Sequence, residues 1–214
     1  MAGTRKFWGW GVEEADLSRE EIAALAKTMQ QRYGIGELTY SPPPRLEEIT
    51  LPKPRVQAPT ALAALVRTDP LERAQHTYGK AFKDVVRAYE RDFTNAPDGV
   101  ALPGTEDELR ALLDWCGSAS IAAIPYGGGS SVVQGTEAAV DGRYKGAICI
   151  DLRRLDKILE VDKTSRAARI EGGIYGPALD AGLKPHGLTM RHFPQSYEFS
   201  TLGGWIATRS GGHY

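Results

Sequence analysis

Between Ser18 and Gly34 apolar residues recur at three- and four-residue spacing, at Ile22, Leu25, Ala26 and Met29, the period of one helix face. Ser18-Arg19-Glu20-Glu21 opens that run as a capping box, with a hydroxyl and a carboxylate three residues apart, and Gly34 can end it. The pattern predicts a surface helix packed by its one stripe. It then breaks: Pro42, Pro43, Pro44, Pro52, Pro54 and Pro59 each fix φ and remove an amide donor, so 41–59 is predicted to be an extended connection. Asp69-Pro70 has the cap-then-proline order that starts a helix, which Gly79 can close. A second short helix over 81–91 puts Phe82, Val85, Val86 and Tyr89 on one side. Residues 1–95 are therefore expected to form a helical, proline-jointed arm that packs on the rest of the chain.

The turn signal Asn95-Ala96-Pro97-Asp98-Gly99 ends the arm, and short apolar runs replace the helical spacing. Val100 to Pro103 reads as a strand, Thr105-Glu106-Asp107-Glu108 as a capping box, and Leu109, Leu112, Leu113 and Cys116 as the stripe of the helix it opens. Ile121 to Pro125 is a strand that runs into Gly127-Gly128-Gly129. Further strands are predicted at 147–152, 158–161 and 167–171. Gly176-Pro177 opens a short helix ending near His186-Gly187, residues 188–193 are extended, and 201–209 can turn helical. The expected class is α+β.

A chain of 214 residues, 42% hydrophobic and 25% charged, can bury a substantial core without staples. With 26 basic against 27 acidic residues it lacks the positive excess that holds a nucleic-acid backbone or an anionic membrane. No 18 apolar residues run together, which predicts no transmembrane segment. Basic residues near the start precede no apolar stretch of signal-peptide length, and Gly212-His213-Tyr214 is not a peroxisomal tripeptide. Cys116 and Cys149 both stand in apolar or helical settings, which predicts free thiols in a reduced compartment. The expected location is cytoplasmic.

Among the 24 glycines, Gly127-Gly128-Gly129, Gly172-Gly173, Gly203-Gly204 and Gly211-Gly212 are clustered. Such clusters mark places where backbone approaches another group closely. In Pro125-Tyr126-Gly127-Gly128-Gly129-Ser130-Ser131, successive unhindered amides at a strand end can form a nest for anionic oxygens, with two hydroxyls beside them. A flexible turn fits the same residues. The loop has no lysine, so it is not a P-loop, and no Gly-x-Gly-x-x-Gly opens a helix. The segment Pro194 to Thr208 adds hydroxyls, amide donors and a glycine pair suited to a polar ligand, or to a glycine-rich turn.

Phe7-Trp8-Gly9-Trp10-Gly11, His76-Thr77-Tyr78-Gly79-Lys80, Pro97-Asp98-Gly99-Val100, the 125–131 loop and Arg191 to Gly204 together resemble the alkyl-dihydroxyacetonephosphate-synthase-like, FAD-linked oxidoreductases, which belong to the vanillyl-alcohol-oxidase-like flavoproteins. The resemblance spans nearly the whole chain. It implies a PCMH-type FAD-binding domain of two α+β subdomains at 96–214, incomplete at its C-terminus, with the dinucleotide between them. It implies that Pro125, Tyr126, Gly127, Gly128, Gly129, Ser130 and Ser131 wrap the FAD pyrophosphate. Gln195, Ser196, Tyr197, Glu198, Phe199, Ser200 and Thr201, with Trp205, Ile206, Ala207 and Thr208, would then lie along the cofactor toward the flavin. Some relatives attach flavin through a histidine after the glycines; Ser130 stands there, implying non-covalent FAD. Where many relatives carry a glycine pair after the loop, this chain has Gln134-Gly135.

A complete relative would exchange an acyl for an alkyl group on dihydroxyacetone phosphate, or oxidise a hydroxy acid or alcohol. The resemblance implies that the Tyr, His and Arg groups around the flavin of such enzymes lie beyond Tyr214, which is no substitute, so no catalytic residue is expected within the chain. A fragment that binds little flavin and catalyses nothing is the reading from another class. The partners expected are a small-molecule or lipid-derived substrate and, as an open expectation, a second copy. The four histidines show no metal-ligand spacing with Cys, Asp or Glu. His76 and His186 read as structural, and Trp8 and Trp10 as packing anchors. Arg191 and His192 read either as ligand-facing or as a solvated strand end. Ser130 and Ser200 have no base to make them nucleophiles.

Overall fold

The computed structural model of the chain describes residues 3–212; the readings placed on His213 and Tyr214 lie outside them. Six α-helices form among the described residues: α1 (Arg19–Tyr33), α2 (Pro70–Gln75), α3 (Phe82–Tyr89), α4 (Glu106–Ala119), α5 (Gly176–Leu183) and α6 (Leu202–Thr208). Six strands accompany them: β1 (Val66–Arg67), β2 (Gly99–Ala101), β3 (Ile121–Tyr126), β4 (Gly146–Asp151), β5 (Ile158–Asp162) and β6 (Ala167–Ile170). The mixed α+β class is that of the sequence reading.

One sheet has the order β1-β2-β4-β3, with β4 parallel to both β2 and β3 and β1 antiparallel on the edge. β4 is buried at every position because it is the central strand and is covered on both faces, as a continuous apolar run requires. Leu112 and Cys116 of α4 pack on Ala101, Ile121, Ile148 and Ile150 to form this sheet's core. Thr105 Oγ1 caps α4 by accepting from the Glu108 amide at 3.1 Å, while the Glu108 carboxylate turns to the amide of Gly104. The second unit pairs β5 with β6 as a hairpin. Its core joins Ile174, Leu179, Leu183, Leu202 and Trp205.

The segment before residue 96 departs from its expected pattern in three places. Val66–Arg67 pairs with Val100 and Ala101, so the arm supplies an edge strand that two residues could not announce by periodicity. α1 forms with both halves of its capping box and a left-handed Gly34 at its end, yet buries no residue: Leu25 is 51% exposed. α3 turns Asp84 and Ala88 inward and leaves Phe82 85% exposed, so its inward face is rotated from the expected one, of which Val85 and Tyr89 stay part-buried. Local spacing defines a helix's stripe but not the surface available to cover it. A third cluster, Phe7, Ala74, Tyr78, Ala88 and Phe93, joins the N-terminus to α2 and α3. Asp98 ties the proline-rich connection to the sheet: it accepts from the Arg55 amide and guanidinium and from the Ala147 amide.

Candidate functional site

β3 ends at Tyr126, and the chain leaves the sheet through the glycine triplet. Gly129 has φ +68, which favours glycine. Gly128 is required for a different reason: a Cβ there would stand 1.8 Å from the carbonyl oxygen of Phe199. A Cβ on Gly127 would stand 2.2 Å from Thr201 Oγ1. The two glycine-rich segments singled out in the sequence are thus packed against each other. The face that a Gly128 Cβ would occupy belongs to Phe199.

The amides left on this loop bear on the cofactor. Among the described residues, the main-chain N–H groups of Gly127, Gly128, Gly129 and Ser130 donate to no protein acceptor. Gly128 and Gly129 are nevertheless buried. Buried amides are almost always paired, so a row of four without partners fits a ligand bearing several anionic oxygens. Ser131 serves the loop: its hydroxyl accepts from the Val133 and Gly135 amides, and its carbonyl from the Lys80 amide at 2.6 Å. The exit turn is made by Gln134 at φ +60.

A cavity of about 650 Å³ opens beside the loop, within the range of small-molecule sites. Of the expected site residues, Tyr126, Gly128, Ser130, Glu198 and Phe199 line it. Pro125 and Gln195 are exposed, whereas Ser200, Thr201 and Trp205 are buried. Much of the second segment's polar capacity is used internally. Trp205 Nε1 donates to Ser200 Oγ at 2.7 Å, Ser200 Oγ donates to the Ser196 carbonyl at 2.7 Å, and Tyr197 OH donates to the Gly176 carbonyl at 2.8 Å. Thr201 Oγ1 caps α6. Ile206, Ala207 and Thr208 are exposed outside the cavity.

Sequence reasoning did not assign the residues that complete the cavity wall. Arg5, Lys6 and Trp10 reach it from the N-terminus, Lys80 from the turn after α2, Arg153 from the end of β4 and Tyr175 from the start of α5. The aromatic and basic motif at 5–11 and the Gly79-Lys80 pair were the available signals, since neither makes a helix or strand pattern.

His76, expected to be structural, reaches from α2 across to the sheet. Its Nε2 lies 2.8 Å from Asp151 Oδ2 and its Nδ1 2.7 Å from the Glu72 carbonyl. Glu72, His76 and Asp151 converge closely enough to hold a cation, a grouping the linear spacing does not reveal across 75 residues. The cation there is Arg153, whose Nη2 lies 2.6 Å from Glu72 and 2.7 Å from Asp151. Burial alone would lower the Arg153 guanidinium, but the two carboxylates raise it above its ordinary value. Burial likewise raises the Asp151 carboxyl, and His76 and Arg153 outweigh it to leave it lowered. The cluster is a closed ion network joining α2 to β4. Elsewhere, His192 Nε2 is buried without a partner and its ring meets Trp205 edge-on at 5.0 Å. Both cysteines are free and buried.

Residues 97–214, more than half the chain, match the family model described as FAD binding domain. The chain is 40% identical over 148 residues to the alkyldihydroxyacetonephosphate synthase of Dictyostelium discoideum, covering 69% of this chain and 24% of that protein. It is 29% identical over 126 residues to a D-2-hydroxyglutarate dehydrogenase of Xanthomonas citri pv. viticola, covering 59% of this chain and 26% of that protein. A solved alkyldihydroxyacetonephosphate synthase superposes with a TM-score of 0.86 at 32% identity, over 98% of this chain and 44% of that one. The chain therefore spans about a quarter of the length of these curated relatives. No helix among the described residues is long and apolar enough to cross a membrane. The unpartnered amides, the cavity beside them and these likenesses lead to one conclusion: the chain belongs to the FAD-binding domain family, and FAD is its cofactor.

Proposed function

We propose that the chain is the FAD-holding part of an alkylglycerone-phosphate-synthase-like enzyme, which exchanges an acyl for an alkyl group on dihydroxyacetone phosphate. The four amides of Gly127 to Ser130 carry the reading, because they offer a diphosphate what the protein itself leaves unused. Pro125 to Ser131 would hold the pyrophosphate, with Gln195 to Thr201 and Trp205 to Thr208 toward the flavin. FAD would be non-covalent, since Ser130 offers no imidazole to bond it. When bound, FAD supplies the reactive isoalloxazine; the chain's own share is binding, orientation and exclusion of water.

Residues 1–95 would serve as an arm on the 96–214 domain, a role supported by the shared sheet edge and the Phe7–Phe93 cluster. The groups that act on substrate are proposed to lie in the length of the relatives that this chain does not span, so the chain alone should bind flavin without turnover. No metal site is proposed: Arg153 already ion-pairs with both carboxylates of the Glu72, His76 and Asp151 group, the one convergent group found among the described residues. A cytoplasmic setting is supported by the two buried free thiols. The dehydrogenase relative favours a second reading, oxidation of a hydroxy acid or alcohol.

Purified chain should be yellow and should retain flavin through gel filtration. Colourless, folded protein that ignores added FAD would sink the proposal. With flavin bound, turnover of either substrate class by this chain alone would overturn the assignment of catalysis to other segments.

A further inference from the structure

Two cations in the cavity wall, Arg5 and Lys80, form no ion pair among the described residues. Lys80 Nζ makes one long contact, 3.4 Å to the Lys6 carbonyl, although an ammonium carries three donors. The Arg5 guanidinium donates to Tyr175 OH at 2.8 Å and to the Gly128 carbonyl, both uncharged acceptors. Neither side chain forms an ion pair with a described carboxylate, although Lys6 pairs with Asp16 and Arg153 with Asp151 and Glu72. Asp156 and Glu198 also line the cavity but stand beyond ion-pair distance of both. Burial, and then the charge of Arg5, pushes Lys80 down to about 8, with Asp84 as the opposing influence. Two mutually repelling cations beside four free amides are costly to keep unless an anion joins them.

Their position is built. The chain reverses between Arg5 and Val12, which form a bridge, and Lys6 N donates to the Gly11 carbonyl. Gln75 Nε2 holds the Arg5 carbonyl at 2.9 Å, and Trp10 Nε1 holds the Lys80 carbonyl at 3.1 Å. Trp10 meets Phe199 edge-on at 5.8 Å. Arg5 thereby touches the glycine loop of the first unit and Tyr175 of the second.

We infer that residues 4–11 are a strap across the cofactor cavity, and that Arg5 and Lys80 clamp the FAD diphosphate together with the amides of Gly127 to Ser130. This rests on the FAD-binding reading and extends it to residues outside the 97–214 family match. Diphosphate oxygens would give Lys80 and Arg5 the charged acceptors they lack, and such bonds are about twice as strong as neutral ones.

The test is a titration of the 214-residue chain and of its Lys80→Met and Arg5→Gln variants with four probes: FAD, ADP, riboflavin and glycerol 3-phosphate. Each variant should bind FAD and ADP about tenfold or more weakly, in line with loss of one charge-assisted hydrogen bond. Riboflavin, which has no diphosphate, should change less than twofold. Lys80→Met should fold, since it removes a desolvated charge, and a urea midpoint at or above that of the parent checks this. FAD affinity within twofold of the parent in both variants overturns the clamp. So does an equal loss of riboflavin affinity, which would mark a merely structural effect. Unchanged FAD affinity with weakened binding of glycerol 3-phosphate would assign the cations to a substrate phosphate, against the inference. If the parent chain binds no FAD while remaining folded, the cofactor reading itself fails and the clamp falls with it.

Discussion

Gly128 meets two demands at one residue. Its amide is free for a ligand, while its missing Cβ makes room for the Phe199 carbonyl 1.8 Å from where that carbon would stand. Backbone cannot yield as a flexible side-chain tip does, so even alanine must separate the loop from the second segment. Gly128→Ala should therefore cost about 3 kcal/mol, at the upper end of overpacking penalties, and should weaken flavin retention as well. Urea unfolding and flavin absorbance after gel filtration measure the two effects. Unaltered stability with lost flavin would return the glycine to its simpler explanation, a side chain set against phosphate. The glycine triplet was legible as a site because glycine density is a local property. Its neighbour across the fold, 71 positions away in the chain, was not.

The proline-rich connection and the main sheet meet at Asp98. The carboxylate is 2% exposed and accepts from Arg55 and from the Ala147 amide, so one residue registers the 41–59 stretch against β2 and β4. Burial raises its carboxyl, but the Arg55 side chain, the Arg55 amide and the Ala147 amide outweigh it and leave it lowered. A carboxylate lowered in the folded state contributes stability that is fully present above its unfolded value near 3.8 and is lost as pH falls through the lower folded value. Asp98→Asn should cost about 2 kcal/mol at pH 7, a figure reduced because the Arg55 side chain is half exposed. The variant should also lose less stability than the parent as pH falls below about 4. Denaturation midpoints at pH 7 and in the acid range decide it; parallel curves would show that Asp98 is not the linked group. At this scale α1, α4 and β3 could be read in advance, because capping and periodicity are local. β1 and the inward face of α3 could not, since they exist only through β2 and through the surface beneath α3.

At the scale of the whole molecule, the N-terminal strap, the glycine loop and the start of α5 surround one cavity, so a ligand there couples all three. Binding to the folded state alone stabilises by mass action, about 2.7 kcal/mol at a hundredfold excess over Kd. For a chain of this size that is a Tm rise of roughly 5–10 °C with FAD, and a smaller one with riboflavin. Scanning calorimetry or dye-monitored melting at several FAD concentrations checks it. A Tm that does not move with FAD, in a chain that visibly retains flavin, would mean that the cofactor sits where it does not join these parts.

The α+β class, the helix starts, the glycine loop as the candidate site and, through resemblance, FAD as the ligand all follow from the order of residues. Each rests on a short window of the chain, where capping, alternation and glycine density act. Three further facts needed the folded chain: the two glycine-rich segments lie against each other, His76 answers Asp151 across the fold, and Arg5 and Lys80 reach the cavity beside the loop without an ion pair to any described carboxylate. Charge compensation and close packing depend on which distant groups are brought within a few ångströms, and linear spacing carries no such distance.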